Sequence, residues 1–392
     1  MESGLNPFSP NAGSRPPELV GRDDVLGDVQ TMVERLPRRL SVQSMLLTGI
    51  RGVGKTVLLN EIARRCESGV VFPIYLEATD DRSLAEMLAS PLRMTLLKLD
   101  RMVKTKDVVR KGMCGLRNFL GKLNVNYGDF GIELEPMLGL SDSGDLQSDL
   151  IDLFVAVAEA AADNGNGVLL LIDEVQYLSE KELGALVMAM HRLQQLSLPM
   201  AMIGAGLPTL PGLTGNAKSY AERLFVFSEI GALSKENSIR AIRVPLSSAN
   251  VRIEDDAVDF VFERSGGYPY FIQEWGFQLW NFVREEPITL NDARCVDLSV
   301  TEKLDRSFFR VRMERLTNAE KMLLFALIEM PGIVYKLSDV AEKMAVNVRA
   351  LSPRRSSLIE KGMIYSPRTG EIAFTVPLFA EYLSRQRKAG RL

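Results

Sequence analysis

Two periods of apolar residues alternate over the first 230 positions of the chain. Short solid runs at 45–47, 70–76, 168–172, 199–205 and 224–227 have the length and aliphatic content of strands buried on both faces. Between them, Leu26, Val29, Val33 and Leu36 recur at helical spacing up to Pro37, and Leu58, Leu59 and Ile62 do so within 56–66. Helices are also predicted over 146–162 and over 180–198, where Leu183, Leu186, Val187, Met190, Leu193 and Leu196 share a face. Strands alternating with helices predict an α/β fold, a parallel sheet covered by helices on both faces.

Beyond position 230 the pattern becomes helical, at 234–244, 255–264 and 270–284. The last segment changes again. Thr317 and Glu320 form a capping box ahead of the apolar run 322–328, and two further helices follow at 337–344 and 349–361. Pro353 shifts the expected start of the third to Ser352, with the proline in its first turn. Strands at 363–366 and 371–376, joined through Arg368 and Gly370, complete the order of a winged helix.

The chain thus divides into a core over 1–231, a helical lid over 232–300, and a linker helix with a winged-helix domain over 301–392. Residues 1–18, rich in Pro, Ser, Gly and Asn, read as an irregular lead-in. Residues 83–146 read as an insertion holding a leucine-rich helix, a hairpin of 123–127 with 130–134 around Gly128-Asp129, and a linker over 133–145. The lid aromatics Tyr268, Tyr270, Phe271, Trp275, Phe277, Trp280 and Phe282 read as packing rather than as a base-stacking surface.

Composition narrows the class. With 392 residues, 46% hydrophobic and 25% charged, the chain is that of a multidomain globular protein, and no apolar run approaches a membrane span. Its N-terminus lacks the basic patch and apolar stretch of an export signal, so a cytoplasmic protein with no membrane partner is expected. Cys66, Cys114 and Cys295 are too scattered for a metal site and read as buried inert thiols. The lone His191 falls on a helix and reads as surface or packing. The net charge of −3 conceals a polarity: residues 317–392 carry 12 Lys plus Arg against 7 Asp plus Glu, a surplus of five that leaves −8 for the rest.

The chemistry lies at two strand ends. Directly after 45–47, residues 49–56 read Gly-Ile-Arg-Gly-Val-Gly-Lys-Thr, a complete phosphate-loop signature in strand–loop–helix context. Gly49, Gly52 and Gly54 allow loop amides to face phosphate oxygens, with Arg51, Val53 and Val57 lining the same segment. Lys55 supplies a point charge for the β- and γ-phosphates, and Thr56 a hydroxyl for Mg²⁺. After 168–172 come Asp173, placed to hold the same ion, and Glu174, placed to polarise the attacking water as general base. A nucleoside triphosphate with Mg²⁺ is the implied ligand, ATP or GTP on these residues alone.

The loop, the Leu-Leu-Ile-Asp-Glu-Val-Gln segment and the box Leu19-Val-Gly-Arg-Asp-Asp24 together resemble AAA+-related ATPases of the STAND and archaeal type, close to archaeal origin-recognition ATPases. The resemblance extends over nearly the whole chain. It implies ATP as cofactor, the adenine against Val20, Gly21 and Arg22, and an arginine finger at Arg223, for which a surface salt bridge is the competing reading. Two departures stand out. The strand at 200–204 runs into Gly-Ala-Gly-Leu-Pro in place of a polar phosphate sensor, and the lid carries Gly266-Gly-Tyr-Pro269 where a sensing arginine is usual. Pro269 and the adjoining backbone then face the phosphates, as in a STAND lid, which implies a slow nucleotide-gated switch and a possible nucleotide-dependent homo-oligomer. The winged helix has two readings. In one, Arg349, Arg354, Arg355, Lys361 and Arg368 face duplex DNA with the tail from Arg385 to Lys388 on phosphates; in the other it contacts a protein partner.

Overall fold

The computed structural model describes residues 2–11, 13–67, 69–100, 106–122, 143–218, 221–376 and 378–389. It forms two compact units, one from Arg22–Gly49 with Lys55–Ile230, the other from Met1–Gly21, Ile50–Gly54 and Gly231–Leu392.

The first unit runs α1 (Asp23–Arg35), β1 (Ser44–Thr48), α2 (Lys55–Glu67), β2 (Val71–Glu77), α3 (Leu84–Asp100), α4 (Lys106–Lys122), α5 (Leu146–Asp163), β3 (Gly167–Asp173), α6 (Glu180–Gln195), β4 (Met200–Gly206), α7 (Leu210–Ala217), α8 (Ala221–Leu224) and β5 (Phe225–Glu229). Its five strands are all parallel, in the order β2-β3-β4-β1-β5. The solid apolar runs have a direct cause: β1, β3 and β4 are interior strands buried at every position, whereas the edge strands β2 and β5 mix buried and open residues. Leu224, expected in the last strand, instead ends α8. The insertion is less of an appendage than the sequence suggests, because Leu88, Leu92 and Leu96 of α3 and Leu116 and Phe119 of α4 enter the same core as β3. The expected hairpin at 123–134, and the linker up to 142, lie outside the described residues.

The second unit contains α9 (Lys235–Ser248), α10 (Asp255–Ser265), α11 (Pro269–Phe282) and α12 (Leu290–Leu304), then a π-helical turn, Asp305–Phe309, leading into α13 (Arg310–Glu314). It continues with α14 (Asn318–Ile328), β6 (Val334–Lys336), α15 (Leu337–Lys343), α16 (Val348–Glu360), β7 (Ile364–Tyr365), β8 (Glu371–Phe374) and α17 (Phe379–Lys388). β6, β8 and β7 form an antiparallel sheet in that order. The lid boundary expected at position 300 falls inside α12.

Two sequence expectations change here. α16 starts at Val348, not Ser352, because Asn347 caps it by accepting a hydrogen bond from the Arg349 amide at 2.9 Å. Pro353 then sits inside the helix and withholds one backbone donor, which burial of Leu351 and Leu358 outweighs. The thiols also differ: Cys66 and Cys114 are buried, the former's pKa pushed up to about 11 by burial, but Cys295 on α12 is exposed.

The lead-in is irregular but anchored. Phe8 is buried with its ring against Gly276, where any Cβ would come within 2.4 Å of it. Trp280 Nε1 donates to the Glu2 carbonyl at 2.8 Å, and Asn6 Nδ2 donates to the Phe277 carbonyl at 3.1 Å. No described helix is long and apolar enough to cross a membrane.

Candidate nucleotide site

In the sheet unit, Ile172 pairs with Gly204 and Thr48 with Gly206, so the carboxyl ends of β3, β4 and β1 finish side by side. Asp173, 2% exposed, terminates β3 and accepts a hydrogen bond from the Thr56 hydroxyl at 2.5 Å. Burial raises the Asp173 carboxyl above its ordinary value, and the Thr56 bond opposes that rise. The Tyr75 hydroxyl stands 3.5 Å from the same carboxylate oxygen, its pKa raised by burial first and by the Asp173 charge second. A hydroxyl and a carboxylate converging at one point form an oxygen set suited to Mg²⁺. No cluster of three or more His, Cys, Asp or Glu able to hold a metal occurs among the described residues.

Lys55 opens α2, 6% exposed, and its Nζ donates to the Gly49 carbonyl at 2.8 Å. The Gly49 amide donates to Gly206 O at 3.1 Å, which extends the pairing of β1 with β4. Val57 follows half-buried in the first turn of α2.

Glu174 has left-handed backbone, φ 52° and ψ 41°, a conformation non-glycine residues adopt at a cost. Its carboxylate accepts from Gln176 Nε2. Gln176 Oε1 in turn accepts from the Leu207 amide at 3.1 Å. This carboxamide occupies the ground of the missing polar sensor. A Cβ on Gly206 would lie 2.8 Å from Gln176 Oε1, so β4 ends in glycine because a neighbouring side chain fills the space. Sequence reasoning passed over Gln176; its signal was a polar residue two positions beyond the carboxylate pair. Gln176→Leu is expected to lower turnover about tenfold while leaving nucleotide affinity within about twofold, since it removes a positioning bond and no phosphate contact; steady-state kcat and KM separate the two effects.

Arg223 lies exposed on α8, and its side chain makes no ion pair among the described residues, so the competing salt bridge is not found. Its carbonyl accepts from Gln43 Nε2 at 3.0 Å.

In the second unit, Gly52 and Gly54 hold φ of 83° and 95°, the left-handed geometry glycine tolerates. Val53 is buried, and Arg51 Nη1 donates to the Lys361 carbonyl at 3.3 Å. Tyr268 occupies the N-cap position of α11 and Pro269 its first turn. Val20 is buried, and a Cβ on Gly21 would lie 2.8 Å from Asn237 Nδ2. Arg22, the N-cap of α1 in the sheet unit, has its guanidinium pKa lowered by burial.

The basic residues assigned to DNA separate into two groups. Lys361 is turned inward, its Nζ 2.8 Å from both carboxylate oxygens of buried Glu320. Arg355 donates to Ser366 Oγ at 3.0 Å. Arg385 grips Asp305 through two bonds, at 3.0 and 2.6 Å, and Arg387 pairs with Glu329, so two of the three tail cations are committed within the unit. Arg349 and Arg368 are exposed and Arg354 half-exposed.

A scan against protein families matches residues 18–203 to the AAA ATPase domain, the stretch that spans the phosphate loop and the Asp173-Glu174 strand end. Over that stretch the chain carries an AAA ATPase domain. Residues 306–383 match a domain of unknown function, DUF8462. No curated protein matches the chain. Among solved structures, the chain is similar to the Walker-type ATPase of Pyrococcus abyssi, with 16% identity, a TM-score of 0.56, and coverage of 94% of this chain and 97% of that one. It also aligns with the RuvB Holliday junction branch migration motor of Thermotoga maritima (18% identity, TM-score 0.48, 94% and 95% covered). The Aeropyrum pernix ORC1 protein, solved in complex with DNA, aligns at 15% identity and TM-score 0.45 over 96% and 95%.

Proposed function

We propose that the protein is a slow, regulated ATPase that works as a switch, in which the nucleotide on the phosphate loop sets the state of the C-terminal half. One observation supports this above others. The central loop residues Ile50–Gly54 pack with the lid and C-terminal elements in one compact unit. Within that packing Arg51 donates to the Lys361 carbonyl at the C-terminus of α16. A phosphate chain seated on this loop would therefore act on Arg51 and, through it, on the C-terminal elements. The order helix, strand, two helices and an antiparallel β-hairpin from α14 to β8 supports reading them as a winged helix.

In this reading the amides of 50–54 and Lys55 bind the phosphates, Thr56 and Asp173 hold the ion, and Glu174 takes a proton from the attacking water. Mg²⁺, when bound, would neutralise charge on the phosphate oxygens. Val20, Gly21 and Arg22 would border the base, Pro269 the phosphates, and Arg223 would reach a second copy of the chain. The sensorless β4 end supports slow turnover. A duplex-DNA partner has less behind it, because Lys361, Arg385 and Arg387 are held in ion pairs.

Lys55→Ala is expected to weaken ATP and ADP at least tenfold, measured by titration calorimetry with Mg²⁺ present, because it removes a charge placed on the phosphates of both nucleotides. Unchanged affinity for both would refute the site.

A further inference from the structure

Tyr268 is completely buried, yet its hydroxyl has no hydrogen-bond partner. Buried hydroxyls are ordinarily satisfied, and one left alone at the start of a helix calls for an explanation. Its direction supplies one. A Cβ built on Gly52 would lie 2.9 Å from the Tyr268 oxygen and 2.9 Å from its Cε1, so the phenol is laid on the phosphate loop itself. The same residue is the N-cap of the fourteen-residue helix α11 but makes no side-chain capping bond, so the first-turn donors of α11 and the free hydroxyl occupy one place.

A cation stands beside it. Arg312 on α13 is held with its guanidinium carbon 3.7 Å from the centroid of the Phe308 ring, and Nη1 donates to the Phe308 carbonyl at 2.6 Å. Phe308 stacks on Tyr270 and meets Phe271 edge-on, and Phe271 touches the Tyr268 ring at 4.7 Å, so Arg312 and Tyr268 are set in one aromatic cluster. Nε of Arg312 is buried without a partner, and no carboxylate pairs with the side chain among the described residues. The groups that act on its charge are Tyr268, Arg51, Tyr270 and Arg315, two tyrosines and two more cations. Burial lowers the Arg312 pKa, as expected for a desolvated cation whose counter-charge is not protein.

We infer that Tyr268 and Arg312 read the terminal phosphate of the nucleotide on this loop, the hydroxyl donating to it and the guanidinium balancing its charge. The inference rests on the nucleotide-site reading proposed above. Beyond Lys55 the terminal phosphate has no reader assigned: β4 ends in glycine, and the lid motif offers no arginine of its own. Arg312 supplies that charge from α13, downstream of the lid helices, so the phosphate that distinguishes ATP from ADP would bear on the helix that leads into the C-terminal domain.

The test is equilibrium binding of ADP and of a non-hydrolysable ATP analogue, with Mg²⁺, to the full chain and to Tyr268→Phe, Arg312→Gln and Lys55→Ala. Tyr268→Phe is expected to weaken the analogue about tenfold and ADP less than about twofold, as for loss of one hydrogen bond to a charged group. Arg312→Gln shifts the ratio in the same direction and further. The melting temperature of nucleotide-free Tyr268→Phe should hold or rise by about 2–4 °C, since the change removes a buried unsatisfied hydroxyl and leaves the ring. If Lys55→Ala weakens both ligands while Tyr268→Phe keeps the wild-type ratio, the phosphate-reading role is overturned and the site stands. If Lys55→Ala changes neither, the site itself is wrong. Equal loss of both ligands in Tyr268→Phe, or a lower melting temperature with the ratio intact, assigns the tyrosine to packing alone.

Discussion

Glu174→Gln is expected to abolish most ATP turnover, by about 10²–10⁴-fold, while ATP still binds with at least wild-type affinity. The carboxylate is held in place from two directions. Its backbone takes a left-handed conformation at the end of β3, and its amide donates to Asp173 Oδ1 at 2.9 Å, which turns the side chain away from the buried strand. Gln176 then fixes one carboxylate oxygen. The amide of the variant is nearly isosteric and keeps the shape of the strand end, so stability should change little. It lacks only the basic oxygen proposed to remove a proton from water. Removing a negative charge next to a triphosphate also lowers repulsion, which is why affinity is expected to hold or increase. Single-turnover hydrolysis beside equilibrium binding separates the two. Hydrolysis within about threefold of wild type would take Glu174 out of the reaction and return its strained backbone to a structural role.

What could be read from the sequence follows from how local each signal is. The loop and Asp173-Glu174 each lie next to a solid aliphatic run, and a run buried at every position needs no distant information to be recognised; hence the sheet and its strand ends were legible. β6 was not, because its three residues place only Tyr335 inward and so show no period. α17 had a readable face in Phe379, Tyr382 and Leu383, but its basic residues suggested a phosphate-binding tail. The partners that committed those charges, Asp305 and Glu329, lie about 80 and 58 positions upstream.

The site shows the same division. Gln176 could be seen as polar, but its role depends on the Leu207 amide and on the glycine end of β4, both brought alongside by strand pairing. Tyr268 passed as one aromatic among seven in the lid. Only its contact with Gly52, more than 200 positions away in sequence, sets it apart.

A carboxylate that takes no part in the proposed nucleotide chemistry is expected to decide how the C-terminal half withstands acid. Glu320, 4% exposed, closes the capping box of α14 with Thr317, accepts from Ser357 Oγ at 2.6 Å, and takes both its oxygens to Lys361 Nζ at 2.8 Å. It thereby ties the start of α14 to the end of α16, whose Lys361 carbonyl accepts from Arg51. Burial works against the charge, but the bonds from Lys361, Ser357 and Thr317 win and hold the carboxyl down at about 2. Because the folded value lies below the unfolded one, the stabilisation is fully present above the ordinary carboxylate range near pH 4.5 and is lost as pH falls from there towards 2. The full difference corresponds to on the order of 3 kcal/mol. Glu320→Gln keeps the capping geometry and removes the charge, so at neutral pH its C-terminal half should unfold earlier, with Lys361 left half-buried and unpaired. Between pH 5 and pH 3 the wild-type transition should fall towards that of the variant in calorimetric scans. Parallel curves for the two proteins across that interval would show that Glu320 carries no linked proton, and that α14 and α16 are joined by packing alone.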